Sequence, residues 1–253
     1  MKIIDFHTHL GTAKAAFYEE KGEHALMKHL QDPQSLLTSM DKNGISLSVV
    51  FPSVMIPHTQ RQANEETLSM VAGNDRFTPF AFLDPRLDES PSLLEELLQQ
   101  GCTGLKLHPV CHGYVISHSM CFPTLEVAQA HDLPVIIHSG WGEYGEIRFI
   151  AQLAEQFKQL KIVVGHMKEY QDIFALLPKH ENVAVETSYA THPRRIAQAV
   201  TSLGSERVLF GSDFPCGQQD FELYKVVHAL LNDDDREKVL YKNAQRFLQK
   251  RGN

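Results

Sequence analysis

The chain has 253 residues, 43% hydrophobic and 22% charged, with a formal net charge of −7. That composition suits a soluble globular protein with one sizeable core, and an acidic balance without a basic run argues against a nucleic-acid partner. No apolar stretch approaches the ~18 residues of a membrane span, and Asp5 interrupts the N-terminal segment before a signal peptide develops, so a cytoplasmic location with no membrane partner is expected.

The first apolar run, Lys2–Phe6, ends in His7-Thr8-His9. A long connection from Leu10 to about Pro33 follows, with a helix predicted around Glu23–Gln31. Further β-branched or aromatic runs come at Ser46–Phe51, Phe77–Leu83, Gly104–Leu107, Val135–Ile137, Lys161–Val164, Asn182–Val185 and Arg207–Phe210. Helical patterns lie between them, as at Pro91–Leu98 and Ile147–Leu160. Pro91 suits a first helical turn and Gly101 a stop. A second long connection spans Pro109–Phe122. Near the C-terminus, Asp233-Asp234-Asp235 opens the last helix, where negative charge suits the helix dipole.

Strands alternating with helices imply a parallel sheet buried on both faces, hence apolar runs without polar alternation. Eight βα units over this length give about 30 residues each, which predicts a single (β/α)8 TIM barrel across residues 1–253. A doubly wound open sheet would show a Gly-rich turn after its first strand. The histidine pair stands there instead.

Polar residues fall at the C-terminal ends of the predicted strands: His7 and His9, Lys106 and His108, His138, His166, Glu186 and Asp213. In a barrel these ends converge on one mouth. Alternation puts His7 and His9 on one face with Asp5 below them, and Lys106 and His108 likewise share the inward face of their strand. Neutral imidazoles with a carboxylate suit zinc and similar divalent ions. Each residue alone has a plainer reading. A single strand-end His is commonly a hydrogen-bonded core residue, Asp213 fits a helix N-cap, and Glu186 fits a structural ion pair. Cys111, His112, His118 and Cys121 match no standard zinc module, and the four cysteines read as free thiols.

The segments Ile4–His9, Gly104–Pro109, Pro134–His138, Val163–His166 and Phe210–Pro215 resemble the amidohydrolase superfamily. In particular they resemble its amidohydrolase-2 branch, which includes amino-carboxymuconate semialdehyde decarboxylase and related decarboxylases and hydrolases. The resemblance implies that His7, His9, His138 and Asp213 bind one divalent metal, zinc first, with manganese, cobalt or iron(II) as alternatives. It implies that His166 supports the ligands or takes part in catalysis with Asp213. Some superfamily members carry a carboxylated lysine between two metals where Lys106 stands. A cationic Lys106, with His108, would instead hold a substrate carboxylate.

The expected reaction is attack of a metal-bound hydroxide on an ester, lactone or amide carbonyl of a small, carboxylate-bearing substrate. Non-oxidative decarboxylation of an aromatic or muconate-type acid is the alternative. A metal-free lactonase and a non-catalytic ligand-binding barrel remain as further readings. Arg61 and Arg148 lie just past two strands and would either assist or be solvated helix residues. Oligomeric state is left open, a homodimer being in keeping with a barrel.

Overall fold

The computed structural model describes residues 2–11, 32–53 and 57–249. Its strands are β1 (Ile4–Leu10), β2 (Leu47–Pro52), β3 (Phe77–Pro79), β4 (Ala81–Phe82), β5 (Leu105–Leu107), β6 (Pro134–His138), β7 (Lys161–Gly165), β8 (Val183–Glu186) and β9 (Val208–Leu209). Sequential neighbours pair in parallel, in the orders β1-β2-β3 and β4-β5-β6-β7-β8-β9. β3 and β4 are halves of the one expected strand, interrupted at Phe80. Phe80 N still donates to Val50 O at 2.8 Å, tying the two sheets together. The buried Asn64 side chain accepts from Phe82 N at 2.8 Å and donates to Phe82 O at 2.9 Å, replacing a strand neighbour. The eighth barrel strand and its extension meet the first through Phe6 N to Phe210 O at 2.9 Å, Asp213 N to His7 O at 2.8 Å and His9 N to Phe214 O at 2.8 Å. The result is the (β/α)8 architecture, with element bounds a residue or two from those expected.

The core has two layers. Leu105, Leu107, Val135, Ile137, Ile162, Val164, Val183 and Val185 pack outward with helix residues. Ile4, Phe6, Val49, Phe51, Phe80, Phe82, Ile136, Val163, Ala184 and Leu209 form a second, inner cluster. Phe6 sits edge-on to Phe80 and to Phe247 of the final helix, with centroids 5.8 and 6.3 Å apart. Burying each such ring contributes about 1.5–3 kcal/mol. The inner strand positions are thus apolar below and polar only at the C-terminal ends, which confines chemistry to one mouth.

β1 carries a bulge. Asp5 pairs with Ser48 but Thr8 pairs with Val50, so Phe6 and His7 together oppose Val49. Phe6 therefore joins the inner cluster although His7, the next residue, reaches the site. Asp5 does not lie below the histidines as expected. It turns to Ser212 and Gln219, accepting from Ser212 N, Ser212 Oγ and Gln219 Nε2 at 2.9, 2.6 and 2.8 Å. Burial pushes its carboxyl up to about 6 against those hydrogen bonds.

Helices follow the strands as predicted. Helix α1 (Pro33–Asn43) is capped by Asp32, whose side chain accepts from Ser35 N at 3.0 Å, and stops at Gly44 with φ 66°. The helix expected over Pro91–Leu98 spans Ser90–Gln99, and the one expected over Ile147–Leu160 stops at Gln156. The connection at 109–122 is ordered by a short helix, Pro109–His112, and a 3₁₀ turn, Ser119–Cys121. Asn232 caps the helix opened by the Asp triplet. The helix expected at Glu23–Gln31 lies outside the described residues. Among those described, no helix is long and apolar enough to cross a membrane.

Candidate metal centre

β1 and the β9 extension meet at the mouth, and their polar side chains meet with them. One oxygen, Asp213 Oδ1, lies 3.0 Å from His7 Nε2 and 3.1 Å from His9 Nε2. All three residues are buried, and their ligand atoms fall within 4.8 Å of one another. The opposite edge of each imidazole is anchored. His7 Nδ1 lies 2.9 Å from Glu186 Oε1, and His9 Nδ1 lies 3.1 Å from Pro52 O.

These anchors determine the protons. A carboxylate and a carbonyl only accept, so both Nδ1 atoms carry hydrogen. In the neutral rings both Nε2 atoms then present lone pairs, and both face a carboxylate oxygen. The three atoms thus form a donor set that fits a divalent metal held by His7, His9 and Asp213; when no metal is bound, a proton on His7 and the Lys106 ammonium, 3.1 Å from His7 Nε2, supply the positive charge there. Electrostatics agree. Burial alone would suppress a charge on His7 and would raise Asp213. The carboxylates nevertheless raise His7, while His7 holds Asp213 well below the usual carboxylate range. Burial lowers His9, keeping it neutral.

Glu186 organises the next layer. Burial would raise its carboxyl, but His7 and the Ser188 groups hold it low and ionised. It accepts from His166 N, Ser188 N and Ser188 Oγ as well as from His7. Ser188 spends its only hydrogen on Glu186 at 2.7 Å, so His166 Nδ1, 2.7 Å from Ser188 Oγ, is the donor in that contact. His166 Nε2 must then accept from His138 Nδ1 at 3.0 Å, which leaves His138 Nε2 as a lone pair. His138 is not in the three-residue convergence, although its tautomer suits a ligand. It stacks on His108 with centroids 3.7 Å apart. Burial drives His108, His138 and His166 well below their ordinary value, so all three are neutral.

Lys106 is fully buried, with Nζ 3.1 Å from His7 Nε2 and 4.9 Å from the Phe51 ring centroid. Burial lowers it to about 8, against the attraction of Asp213 and Glu186. It adjoins the ligand cluster and is not part of the cavity wall. His108 is on that wall, and its Nδ1 accepts from Cys111 N at 3.2 Å. The cavity, about 340 Å³, is also lined by His9, Val110, Cys111, His138, Trp141, His166, Tyr189, Asp213 and Cys216.

Arg61 and Arg148 do not reach it; they pair with Glu96 and Glu146 on the surface. Cys111, His112, His118 and Cys121 do not converge as a ligand group. Trp141, Tyr189 and Ser188 were not singled out in the sequence. The one available signal was a lone tryptophan between Gly140 and Gly142, three residues past His138. Trp141, His166, Tyr189 and Asp213 all have positive φ, at 58°, 76°, 56° and 58°. Such strain persists only where the surroundings impose it.

Gly211 shows how tightly the centre is built. A Cβ there would lie 2.4 Å from Glu186 Oε2 and 3.1 Å from His7 Cβ. Gly211→Ala should cost about 1–3 kcal/mol through overpacking and disturb the Glu186–His7 contact. Thermal denaturation with a metal titration checks this; an unchanged melting point would contradict it.

The fold and site together define a (β/α)8 barrel with an imidazole–carboxylate centre suited to a divalent cation. The chain belongs to the amidohydrolase family, whose model matches residues 4–250. Among curated protein sequences none matches it. Solved structures share the fold. A dihydroxybenzoic acid decarboxylase from a Polaromonas species, with bound manganese and the inhibitor 2-nitroresorcinol, is 19% identical with a TM-score of 0.80, covering 98% of this chain and 96% of its own. The 5-carboxyvanillate decarboxylase of Sphingomonas paucimobilis is 17% identical with a TM-score of 0.80, covering 98% of each chain. The 2,6-dihydroxybenzoate decarboxylase from Rhizobium is 19% identical with a TM-score of 0.73, again covering 98% of each chain.

Proposed function

We propose that the chain is a metal-dependent decarboxylase that removes carbon dioxide, without oxidation, from a small planar aromatic acid. The observation that carries this reading is the cavity. Asp213 and His9 line it, and so do the flat rings of Trp141, Tyr189, His108 and His138. Flat walls over a cationic centre suit an aromatic ring bearing an anionic substituent. The decarboxylases that share the fold favour this reaction over hydrolysis, which the sequence placed first.

In this reading His7, His9, His138 and Asp213 hold one divalent ion, manganese or zinc. The ion supplies positive charge that draws in and holds the acid's oxygens. His108 is neutral, with Nδ1 taken by Cys111 N and Nε2 3.5 Å from Cys111 Sγ, so it contributes a flat ring to the wall. Trp141 and Tyr189 orient the ring and exclude water. Asp213, ionised at rest, relays a proton taken up from solvent to the ring carbon that bears the carboxylate. The carbon–carboxylate bond then breaks, its electron pair restores the ring, carbon dioxide leaves, and Asp213 is again ionised. His166, fixed by Ser188 and His138, keeps this array in register.

The test is a screen of hydroxylated benzoates, esters and lactones against the purified protein with Mn²⁺ present. Carbon dioxide release from an aromatic acid, lost on chelation and restored by Mn²⁺, is expected. Turnover of esters or lactones alone would return the assignment to hydrolysis.

A further inference from the structure

Two of the four cysteines, Cys111 and Cys216, are exposed, and both open onto the cavity that Asp213 and His9 line; Cys102 and Cys121 are buried. Cys111 stands on the short helix Pro109–His112 with Val110, which also lines the cavity. Val110 is wedged against the loop that carries Trp141, where a Cβ added to Gly145 or Gly142 would lie 2.9 or 3.7 Å from its methyls. That loop is closed by Gly140 N donating to Gly145 O at 2.9 Å. Cys216 is held by the turn after Asp213, closed by Gly217 N donating to Asp213 O at 2.8 Å. His108 turns its polar edges to Cys111. Its Nδ1 accepts from Cys111 N at 3.2 Å, so Nε2 carries the hydrogen, and Nε2 lies 3.5 Å from Cys111 Sγ. Loss of water around the sulfurs pushes the thiols up, to about 11 at Cys111 and about 12 at Cys216, so both are uncharged at neutral pH.

We propose that Val110, Cys111 and Cys216 form an apolar, polarisable subsite that takes a halogen or methyl substituent of the ring, which makes them specificity-determining residues. The inference rests on reading the cavity as a site for an aromatic acid, and it narrows the substrate to acids substituted in this way. A thiol behaves as a small polarisable hydrophobe with weak hydrogen-bonding capacity. A chlorine or methyl group set against two sulfurs and an isopropyl side chain gives up no strong hydrogen bond and gains dispersion contacts. A hydroxyl or second carboxylate placed there leaves water without an equal partner, which is costly for a neutral group and more so for a charge.

Calorimetry on the full chain with Mn²⁺ present tests this. The ligands are benzoate and its 3- and 4-substituted chloro, methyl, hydroxy and carboxy derivatives. At one ring position at least, chloro and methyl should bind about 10–200-fold tighter than hydroxy and carboxy, the range that one apolar group in a pocket supplies. Cys111→Ser and Cys216→Ser put a strong hydrogen-bonding hydroxyl in place of each thiol, and each should shrink that ratio several-fold. Cys111→Ala and Cys216→Ala stay apolar and should keep chloro and methyl ahead. Hydroxy or carboxy derivatives bound as tightly as chloro by the wild-type chain, or a ratio unchanged in either serine variant, would overturn the subsite. If no acid binds, the aromatic-acid reading has failed, and toluene and phenol, which carry no carboxylate, decide on the subsite. Emission from Trp141, the only tryptophan, reads their binding. Toluene bound more tightly than phenol sustains the subsite; phenol bound as tightly, or neither bound, overturns it.

Discussion

Asp213→Asn should leave the barrel folded while divalent-metal retention falls on the order of 10³-fold and turnover is lost with it; partners one bond further out are already worth about 10–100-fold. The reason is the convergence of His7 Nε2 and His9 Nε2 on Asp213 Oδ1, at 3.0 and 3.1 Å. An amide keeps the shape but removes the negative charge that a cation needs. Its NH₂ group also donates to one of the imidazole lone pairs, which satisfies the metal-free state and preserves the fold. The carboxylates raise His7 against the opposing effects of burial and Lys106. Metal uptake therefore displaces a proton from His7, and wild-type affinity should fall as pH drops through that raised value. A thermal melt paired with a Mn²⁺ titration reads both effects. Tight Mn²⁺ binding or full activity in the Asn variant would end the assignment.

Glu186→Gln should be the most destabilising conservative change in the mouth, on the order of 3–5 kcal/mol, as for removal of one partner from a buried charged network. Glu186 is fully buried and takes hydrogen bonds from His7 Nδ1, His166 N, Ser188 N and Ser188 Oγ. A glutamine offers one accepting oxygen and places a donor where the other oxygen accepted, so at least one buried N–H loses its partner. The tautomers of His7 and His166 are then no longer imposed, and metal affinity should fall a further 10–100-fold. Urea denaturation with and without Mn²⁺ measures both quantities. A loss below about 0.5 kcal/mol, the level of an ordinary surface change, would show that the carboxylate is not the organiser described here.

Much of the barrel was readable because parallel strands covered on both sides must be apolar along their length, and polar residues then stand out at their ends. That is how His7, His9, His108, His138, His166 and Asp213 reached one mouth on paper and in the structure. The same logic missed what depends on non-local partners. The bulge at Phe6–His7 upset the alternation and sent Asp5 to Ser212 and Gln219. Phe80 interrupts a run that looked continuous, because the amide of Asn64 takes over at Phe82. Glu186 was read as an ion-pair residue, which it is, but its task of orienting two histidines follows only from who surrounds it. Tyr189 gave no signal, since its place in the cavity wall follows only from its contacts with Trp141 and His166 on other connections.

The four left-handed residues of the mouth have an evolutionary corollary. Trp141, His166, Tyr189 and Asp213 each hold a backbone conformation that glycine or asparagine adopts more readily. Each is retained at a cost of order 1–3 kcal/mol. A lineage of this barrel released from selection for its chemistry should drift at these positions first, toward glycine and asparagine, and become harder to melt as it does so. Inactive descendants would then be recognisable by a gain in thermal stability that accompanies the emptying of the site.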